Sequence, residues 1–512
     1  MAMFRRLAAA ALACAACGKS SATTPNPGLA GLVQVSGPSP FSAGCANIAG
    51  PSGASYMNAE VEPQVAINPA NPANLIAVWQ QDRWSNGGAK GVVTAWSSDS
   101  GHSWSRVAVP YTLCAGGTFE RASDPWVTFA PDGTAYQIAL VFDQTTMNRA
   151  MLVARSSNQG KDWTLFPSPL QHDTDPDLAM DKESITADPH DASFVYAVWD
   201  RLTHFTTPTS PLGTGPAWFA RTTDAGVTWE SARQIYDPGA DTQTVSNQIV
   251  VLPDGTLLDM YMLIEQNSSQ HPISSVEVLR SPDRGVTWST PPTRVASADF
   301  VGVSVPKNSR GVRTGNVVPS IAVDRASGAV YVVWEDARFS SAQRDGIALS
   351  FSRDGGLSWS TPSQVNQAPA TQAFTPVVSV GQGGKVGVTY FDLRNDDPND
   401  NAHLLASHWL AVSDDAGLTW HETRIAGPFD LANAPIADGY FLGDYQGLVN
   451  SSGVFLPLFV AAHDGDTNNR TDVFFRPADA LAAAGTVQEL VEAVPSLVRG
   501  ARERWRFGTL FK

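Results

Sequence analysis

Ser97-Ser98-Asp99-Ser100-Gly101-His102-Ser103-Trp104 is a stretch that returns along the chain. It comes back as Ser156-Ser157-Asn158-Gln159-Gly160-Lys161-Asp162-Trp163, then over 222–229, 281–288, 352–359 and 413–420. The shared pattern is S/T-x-D-x-G-x-S/T-W, with Asn158 and Asp162 the main lapses. Successive box tryptophans stand 59, 66, 59, 71 and 61 residues apart. A period of that length, with short strands and turn residues between the boxes, predicts an all-β propeller of four-stranded blades.

Each box position has a physical task. The acid accepts backbone N–H groups in a tight turn, and the glycine supplies a left-handed backbone conformation. The Ser/Thr hydroxyl closes the turn, and the tryptophan ring packs between strands or blades. Asp99, Asn158, Asp224, Asp283, Asp354 and Asp415 are therefore expected to fold hairpins rather than to do chemistry.

Between boxes the strands are legible as β-branched and aromatic alternation broken by Pro, Asn and Gly. Gln64–Ile67, Asn74–Trp79, Gly91–Trp96 and Ser105–Val109 make one unit, and the plan restarts near Asp124, Lys182, Val245, Val317 and Phe374. A further restart, Tyr440–Val449 followed by Gly453–Ala461 and Asp472–Phe475, has no box and no clear fourth strand. Leu32-Val33-Gln34-Val35-Ser36 resembles an outer strand and is expected to complete that last unit, closing the ring and removing open edges. The propeller is expected over residues 31–477, with seven blades favoured and six, with an elaborated end, as the alternative. Residues 478–512, from Ala478-Asp479-Ala480-Leu481 to the basic end at Arg506, read as a helical tail.

Composition limits the functions. The chain has 512 residues and a net charge of −15, and charged residues are only 16% of it. An acidic chain without clustered Lys and Arg is a poor polyanion binder, which excludes nucleic acid as the main partner. Arg5 and Arg6 precede an apolar run from Leu7 to Cys17 that is too short for a bilayer anchor. Residues 1–17 read as an export signal of the bacterial lipoprotein type, with Cys17 the candidate lipidated residue and 18–30 a polar tether. The expected location is the cell envelope or beyond it, and a lipid at Cys17 is the expected link to a membrane. Cys45 and Cys114 remain as one pair in an oxidising compartment, expected to form a disulfide.

In a blade the box joins the third and fourth strands, so the start of the first strand and the end of the second lie at the other end of the ring. Acids and arginines gather at those positions: Glu60 and Glu62, Asp82 and Arg83, Arg121 and Asp124, Asp181-Lys182-Glu183, Asp200 and Arg201, Glu335-Asp336 and Arg338, Asp392 and Arg394, Asp444-Tyr445. Arginine forks suit a carboxylate-bearing sugar, and crowded carboxylates raise one another's pKa. A tyrosine beside a carboxylate can serve as a glycosidase nucleophile. Structural ion pairs between blades are the competing explanation for any single pair. The oxygen-rich loops at 392–400 and 172–177 offer structural calcium as an option, solvated loops being the simpler reading; no zinc spacing, phosphate loop or diffusible cofactor is implied.

The repeated boxes resemble the Asp-boxes, or BNR repeats, of the sialidase (neuraminidase) superfamily over most of residues 60–476. That resemblance implies an exported glycoside hydrolase using an arginine clamp for a carboxylate, a Tyr nucleophile polarised by a Glu, and an Asp acid/base. Leu75-Ile76-Ala77-Val78-Trp79-Gln80-Gln81-Asp82-Arg83 is similar to the family segment ending in a substrate-binding arginine, which carries that role to Arg83. The family's early Phe/Tyr-Arg-Ile-Pro motif is missing, and Asn86 stands where an acid/base Asp is usual. The expected site is thus Arg83, Arg201, Arg338 and Arg394 on the anionic group, with Tyr445, Glu183, Asp124 and Asp444 at the chemistry. A monomeric sialidase-like hydrolase of anionic glycans is the leading reading. A noncatalytic surface propeller binding glycans or proteins and a uronic acid lyase are the alternatives.

Overall fold

The structure is a computed structural model that describes residues 27–45, 53–203, 213–265, 273–304, 311–400 and 402–478. The expected leader with Cys17, most of the tether, and the expected helical tail beyond Ala478 lie outside the described residues. Among the described residues the structure is nearly all strand, and the strands pair as successive antiparallel meanders of four.

The first meander runs Glu60–Ile67, Leu75–Arg83, Ala89–Ser97 and Ser105–Ala108. The plan repeats with first strands Arg121–Phe129, Leu178–Ala187, Thr242–Val251, Ser320–Val323 and Ala373–Val380. Gly447–Ser451, Val454–Ala462 and Thr471–Phe475 begin one more meander, and Val33–Gln34 completes it from the other end of the described chain. Each first strand packs against the next one, and Gly447–Ser451 returns to Glu60–Ile67, so the first strands form a closed ring around a central channel. The outer-strand role expected of Leu32–Ser36 is what removes the open edge of the last sheet.

Period-2 alternation explains why the second strands are so uniformly apolar. Along Leu75–Arg83, Leu75, Ala77 and Trp79 enter the core shared with the last meander, while Ile76 and Val78 enter the core shared with the second. A strand sandwiched between two neighbours has no solvent face, so both alternating sets must be apolar.

The boxes fold as turns between third and fourth strands. Asp99 Oδ1 accepts from Ser103 N at 2.9 Å and its Oδ2 from Ser103 Oγ at 2.5 Å, while Gly101 N donates to Ser97 Oγ at 2.9 Å. The lapsed box keeps the geometry with roles exchanged: Asp162 N donates to Asn158 Oδ1 at 3.0 Å and Asn158 Nδ2 to Asp162 Oδ2 at 2.8 Å. Box glycines face the preceding meander. A Cβ on Gly101 would sit 2.1 Å from the Phe475 ring, and one on Gly160 would sit 2.7 Å from Ile76. The box is both a turn and an inter-blade contact.

Cys45 and Cys114 are disulfide-bonded, Cα to Cα 5.5 Å, which ties the segment after the closing strand to the connection between the first two meanders.

Candidate active site at the head of the channel

At the end of the ring opposite the boxes, five of the first strands share a device. Pairing with the second strand slips between Val61 and Gln64, Ser123 and Trp126, Asp181 and Ser184, Val245 and Gln248, and Phe374 and Val377. At each slip one non-glycine residue is left-handed: Glu62, Asp124, Lys182, Ser246 and Thr375, with φ between 49° and 62°. That conformation costs roughly 1–2 kcal/mol per residue, and the surrounding ladder must hold it. The bulge turns a strand residue out of its inter-blade core and re-aims it.

Three of these re-aimed side chains and one from the last meander meet. Lys182 Nζ lies 2.5 Å from Asp124 Oδ1, 2.8 Å from Asp444 Oδ2 and 3.4 Å from Glu62 Oε1. Arg313 grips Asp444 from the other side, Nε to Oδ1 at 2.9 Å and Nη2 to Oδ2. Ser123 Oγ donates to Asp124 Oδ2 at 2.6 Å, and Gln80 Nε2 bridges Ser123 Oγ and Glu62. Arg83 Nη1 donates to Gln80 Oε1 at 2.6 Å, and its Nε has no partner among the described residues. The guanidinium carbons of Arg83 and Arg313 lie 5.0 and 4.5 Å from the Phe441 ring centroid. Glu62, Asp124, Lys182 and Asp444 are all buried, at 1, 4, 6 and 2% exposure.

Burial without enough cations splits the protonation states. Burial first, then Asp124, pushes Glu62 up to about 8, so it is protonated at neutral pH. Burial also raises Asp181 to about 7 and lifts Glu183 well above the carboxylate range. Burial pushes on Asp444 too, but Arg313 and Lys182 outweigh it and hold Asp444 well below its ordinary value. Lys182 loses stability by burial and regains more from Asp124, Asp444 and Glu62, so it stays charged.

The other expected site residues fall in different places. Glu183 Oε1 accepts from Leu140 N, while its Oε2 is buried without a partner among the described residues. Tyr445 donates its hydroxyl to the Pro125 carbonyl at 3.1 Å and packs against Trp126, ring centroids 5.3 Å apart. Arg201 is bound to Asp173 at 2.8 and 2.9 Å. Arg338 is bound to Asp336 at 2.7 Å, and Arg394 to Asp392 at 2.5 Å and Glu422 at 2.8 Å. These three arginines are each engaged locally and stand over Trp218, Trp334 and Trp409. Of the four arginines expected to converge, only Arg83 is in the cluster. The second arginine there is Arg313, absent from the expected set; it lies on the short strand Gly311–Arg313, which pairs in parallel with Tyr440–Phe441 ahead of the first strand Ser320–Val323. In the oxygen-rich loops Asp392 and Asp173 are taken up by those same arginines.

A cavity of about 640 Å³ occupies the channel below the cluster and opens on the box face. Its lining reaches Gln64, Trp126, Gln248 and Tyr445 and includes neither Glu62, Asp124, Lys182 nor Asp444.

No family model matches the sequence. Among solved structures the chain is similar to an alpha-L-arabinanase of Penicillium chrysogenum complexed with arabinobiose, at 12% identity and a TM-score of 0.44, covering 84% of this chain and 99% of that one. It is similar to an alpha-L-arabinofuranosidase of Fusarium graminearum at 10% identity and a TM-score of 0.44, covering 89% and 99%. It is also similar to a mutant NanB sialidase of Streptococcus pneumoniae at 15% identity and a TM-score of 0.42, covering 87% and 70%.

Proposed function

We propose that the protein is an exported glycoside hydrolase whose chemistry is carried by the carboxyl cluster at the head of the channel. The observation behind the reading is that carboxyl groups from three different blades meet on Lys182 with their protonation split: Glu62 is held protonated and Asp444 ionised. Groups driven apart in this way are what an acid and a base at one pH require. Glu62 is the general acid in this reading, protonating the leaving oxygen. Asp124 is the nucleophile or base, held by Lys182 and Ser123. Both carboxyls lie within 3.4 Å of one nitrogen, which suits the roughly 5 Å spacing of retaining enzymes better than the roughly 6.5–9.5 Å of inverting ones. Arg83, with its free Nε, is the candidate for a substrate carboxylate, and this is what favours an anionic, sialic-acid-type sugar. In the sialidase form of the reading Tyr445 attacks the sugar, with Glu183 and Asp444 nearby, and its hydroxyl must first leave the Pro125 carbonyl. Export, a lipid on Cys17 and a monomeric state belong to the proposal on sequence grounds.

A noncatalytic glycan- or protein-binding propeller is the second reading, favoured by one observation: Lys182 and Arg313 are fully engaged and the cavity stops short of the cluster. The deciding experiment incubates the full chain with aryl sialosides, neutral aryl glycosides and uronic acid polysaccharides. Turnover that falls by about 10²-fold or more in Glu62→Gln supports the hydrolase. Unsaturated products point to a lyase. Binding without turnover across the whole panel gives the second reading.

A further inference from the structure

We propose that the channel below the carboxyl cluster is a second ligand site, taking the end of an uncharged saccharide chain through the box face. The inference goes beyond the hydrolase reading and stands whether or not the cluster is catalytic.

The channel has a polar floor whose hydrogen-bonding capacity the fold uses only in part. Gln64 and Gln248 follow the left-handed Glu62 and Ser246 by two residues, so the bulge register delivers both to one level of the channel, and Gln446, just ahead of the strand Gly447–Ser451, lines the same cavity. Gln446 is only 1% exposed; its Oε1 accepts from Val460 N at 2.9 Å, and its Nε2 has no partner among the described residues. Gln248 donates Nε2 to the Pro319 carbonyl at 2.8 Å, and Gln64 Oε1 accepts from Val65 N at 2.8 Å. A buried amide donor without a partner is costly, and a ligand oxygen at this level relieves it.

The walls select the class of ligand. Among the described residues no ionised side chain lines the cavity below the mouth; Asp324 and Arg325 stand only at its rim. A charged chain end would lose its water and gain no counter-charge. A hydrocarbon would leave the Gln446 amide unsatisfied. The Trp126 and Tyr445 rings at the floor, tilted 56° to one another, offer flat apolar surfaces beside the amides. A sugar ring has an apolar face and hydroxyls that both donate and accept, so an uncharged saccharide end answers both parts of the floor.

The test titrates the full chain with a labelled panel of neutral hexose, pentose and N-acetylhexosamine oligosaccharides, with a labelled fatty acid and a labelled peptide as competitors, in a binding assay independent of turnover. Wild type is expected to bind at least one neutral oligosaccharide. Ser379→Phe, which fills the channel wall, is expected to abolish that binding, and Gln446→Met to weaken it roughly tenfold through the lost amide contact. Glu62→Gln is expected to leave it unchanged, whatever it does to catalysis. Unfolding midpoints identify any variant that fails to fold, and the remaining one then decides. Binding of no neutral member, binding only of the fatty acid or peptide, or binding lost in Glu62→Gln and kept in Ser379→Phe overturns the proposal.

Discussion

The two ends of the ring treat carboxylates in opposite ways. On the box face, Asp99 stays near solvent, and donation from Ser103 holds it down at about 2. At the channel head, Glu62 is enclosed, and burial raises it to about 8. The residue chemistry is nearly the same; the difference is the number of donors within reach and the presence of water. A tight turn offers backbone N–H groups that are free to donate, so an acid there is stabilised as an anion. A strand bulge facing other first strands offers few, because the ladder has already consumed them, and the acids must share Lys182 and Arg313. Turns therefore hold carboxylates as anions, and the ring of bulges holds Glu62 protonated.

The largest effect expected from this contrast is at Lys182. Lys182→Met leaves Asp124 and Asp444 buried beside each other with only Arg313 and Ser123 to compensate. Removing one partner of a buried ionic cluster costs about 3–5 kcal/mol. Urea unfolding at neutral pH measures it, and the added change Asp124→Asn should return part of the loss. A cost comparable to that of a surface salt bridge would break the comparison, because the head of the channel would then be solvated.

Glu62 gives the next largest effect, through pH. Its folded pKa of about 8 lies above the ordinary 4.5, so the native state holds a proton that the unfolded chain releases. Stability from this group is complete below 4.5 and is lost as pH rises toward 8. Glu62→Gln removes that slope. Measured against wild type, the variant should gain in relative stability between pH 5 and 8, and parallel curves would contradict the buried, protonated acid.

On the box face the corresponding change is steric. Gly101 has φ +88°, and a Cβ there would meet the Phe475 ring of the last meander at 2.1 Å. Gly101→Ala should cost about 2–3 kcal/mol, combining the left-handed penalty with overpacking. Gly116 has φ +86° with open space around it, so Gly116→Ala should show the conformational part alone, roughly 1 kcal/mol. The difference between the two variants isolates the contact between blades.

What could be read from the sequence follows the same division. The boxes were legible because a turn is local: Asp99, Gly101, Ser103 and Trp104 act on one another within one hairpin, and the spacing repeats. The closing strand was legible by count, because a meander of three strands near one end and a spare strand near the other must meet. The rim was legible only as a list of charged positions. Asp124, Asp444 and Arg83 are in the cluster, but Arg201, Arg338 and Arg394 follow the same strand-end pattern and are held instead by nearby Asp173, Asp336 and Asp392. The pattern fixes which end of the ring a residue occupies; it does not fix whether the chain bulges there. The positive φ at Glu62, Asp124 and Lys182 has no glycine to announce it, and Arg313 falls outside the pattern because it lies on Gly311–Arg313, a short strand ahead of its unit's first strand, Ser320–Val323.

The smallest expected effect tests the box half of the contrast. Asp99 has a folded pKa of about 2 against an ordinary 3.8, lowered first by the Ser103 hydroxyl and then, against a small burial penalty, by the Ser103 amide and Ser97. The sign is opposite to that at Glu62. The stability Asp99 contributes is complete above 3.8 and is lost as pH falls toward 2, when the native carboxylate takes up a proton. Asp99→Asn keeps the Ser103 N–H acceptor and removes the charge, which is what Asn158 already does in the second box. Because the group is near solvent, its hydrogen bonds are worth about 1 kcal/mol at most, discounted for screening. Thermal unfolding between pH 2 and 5 should therefore show a shallower acid slope for Asp99→Asn than for wild type, with the two curves converging at the acid end. An Asn158→Asp variant should steepen the slope if Asp162 turns away to make room, and should destabilise the box at neutral pH if it does not, since two carboxylates would then face each other across the 2.8 Å bond that Asn158 now donates. Either change places the box acids on the structural side of the comparison; a loss of glycoside turnover in Asp99→Asn with an unchanged unfolding midpoint would move them to the other.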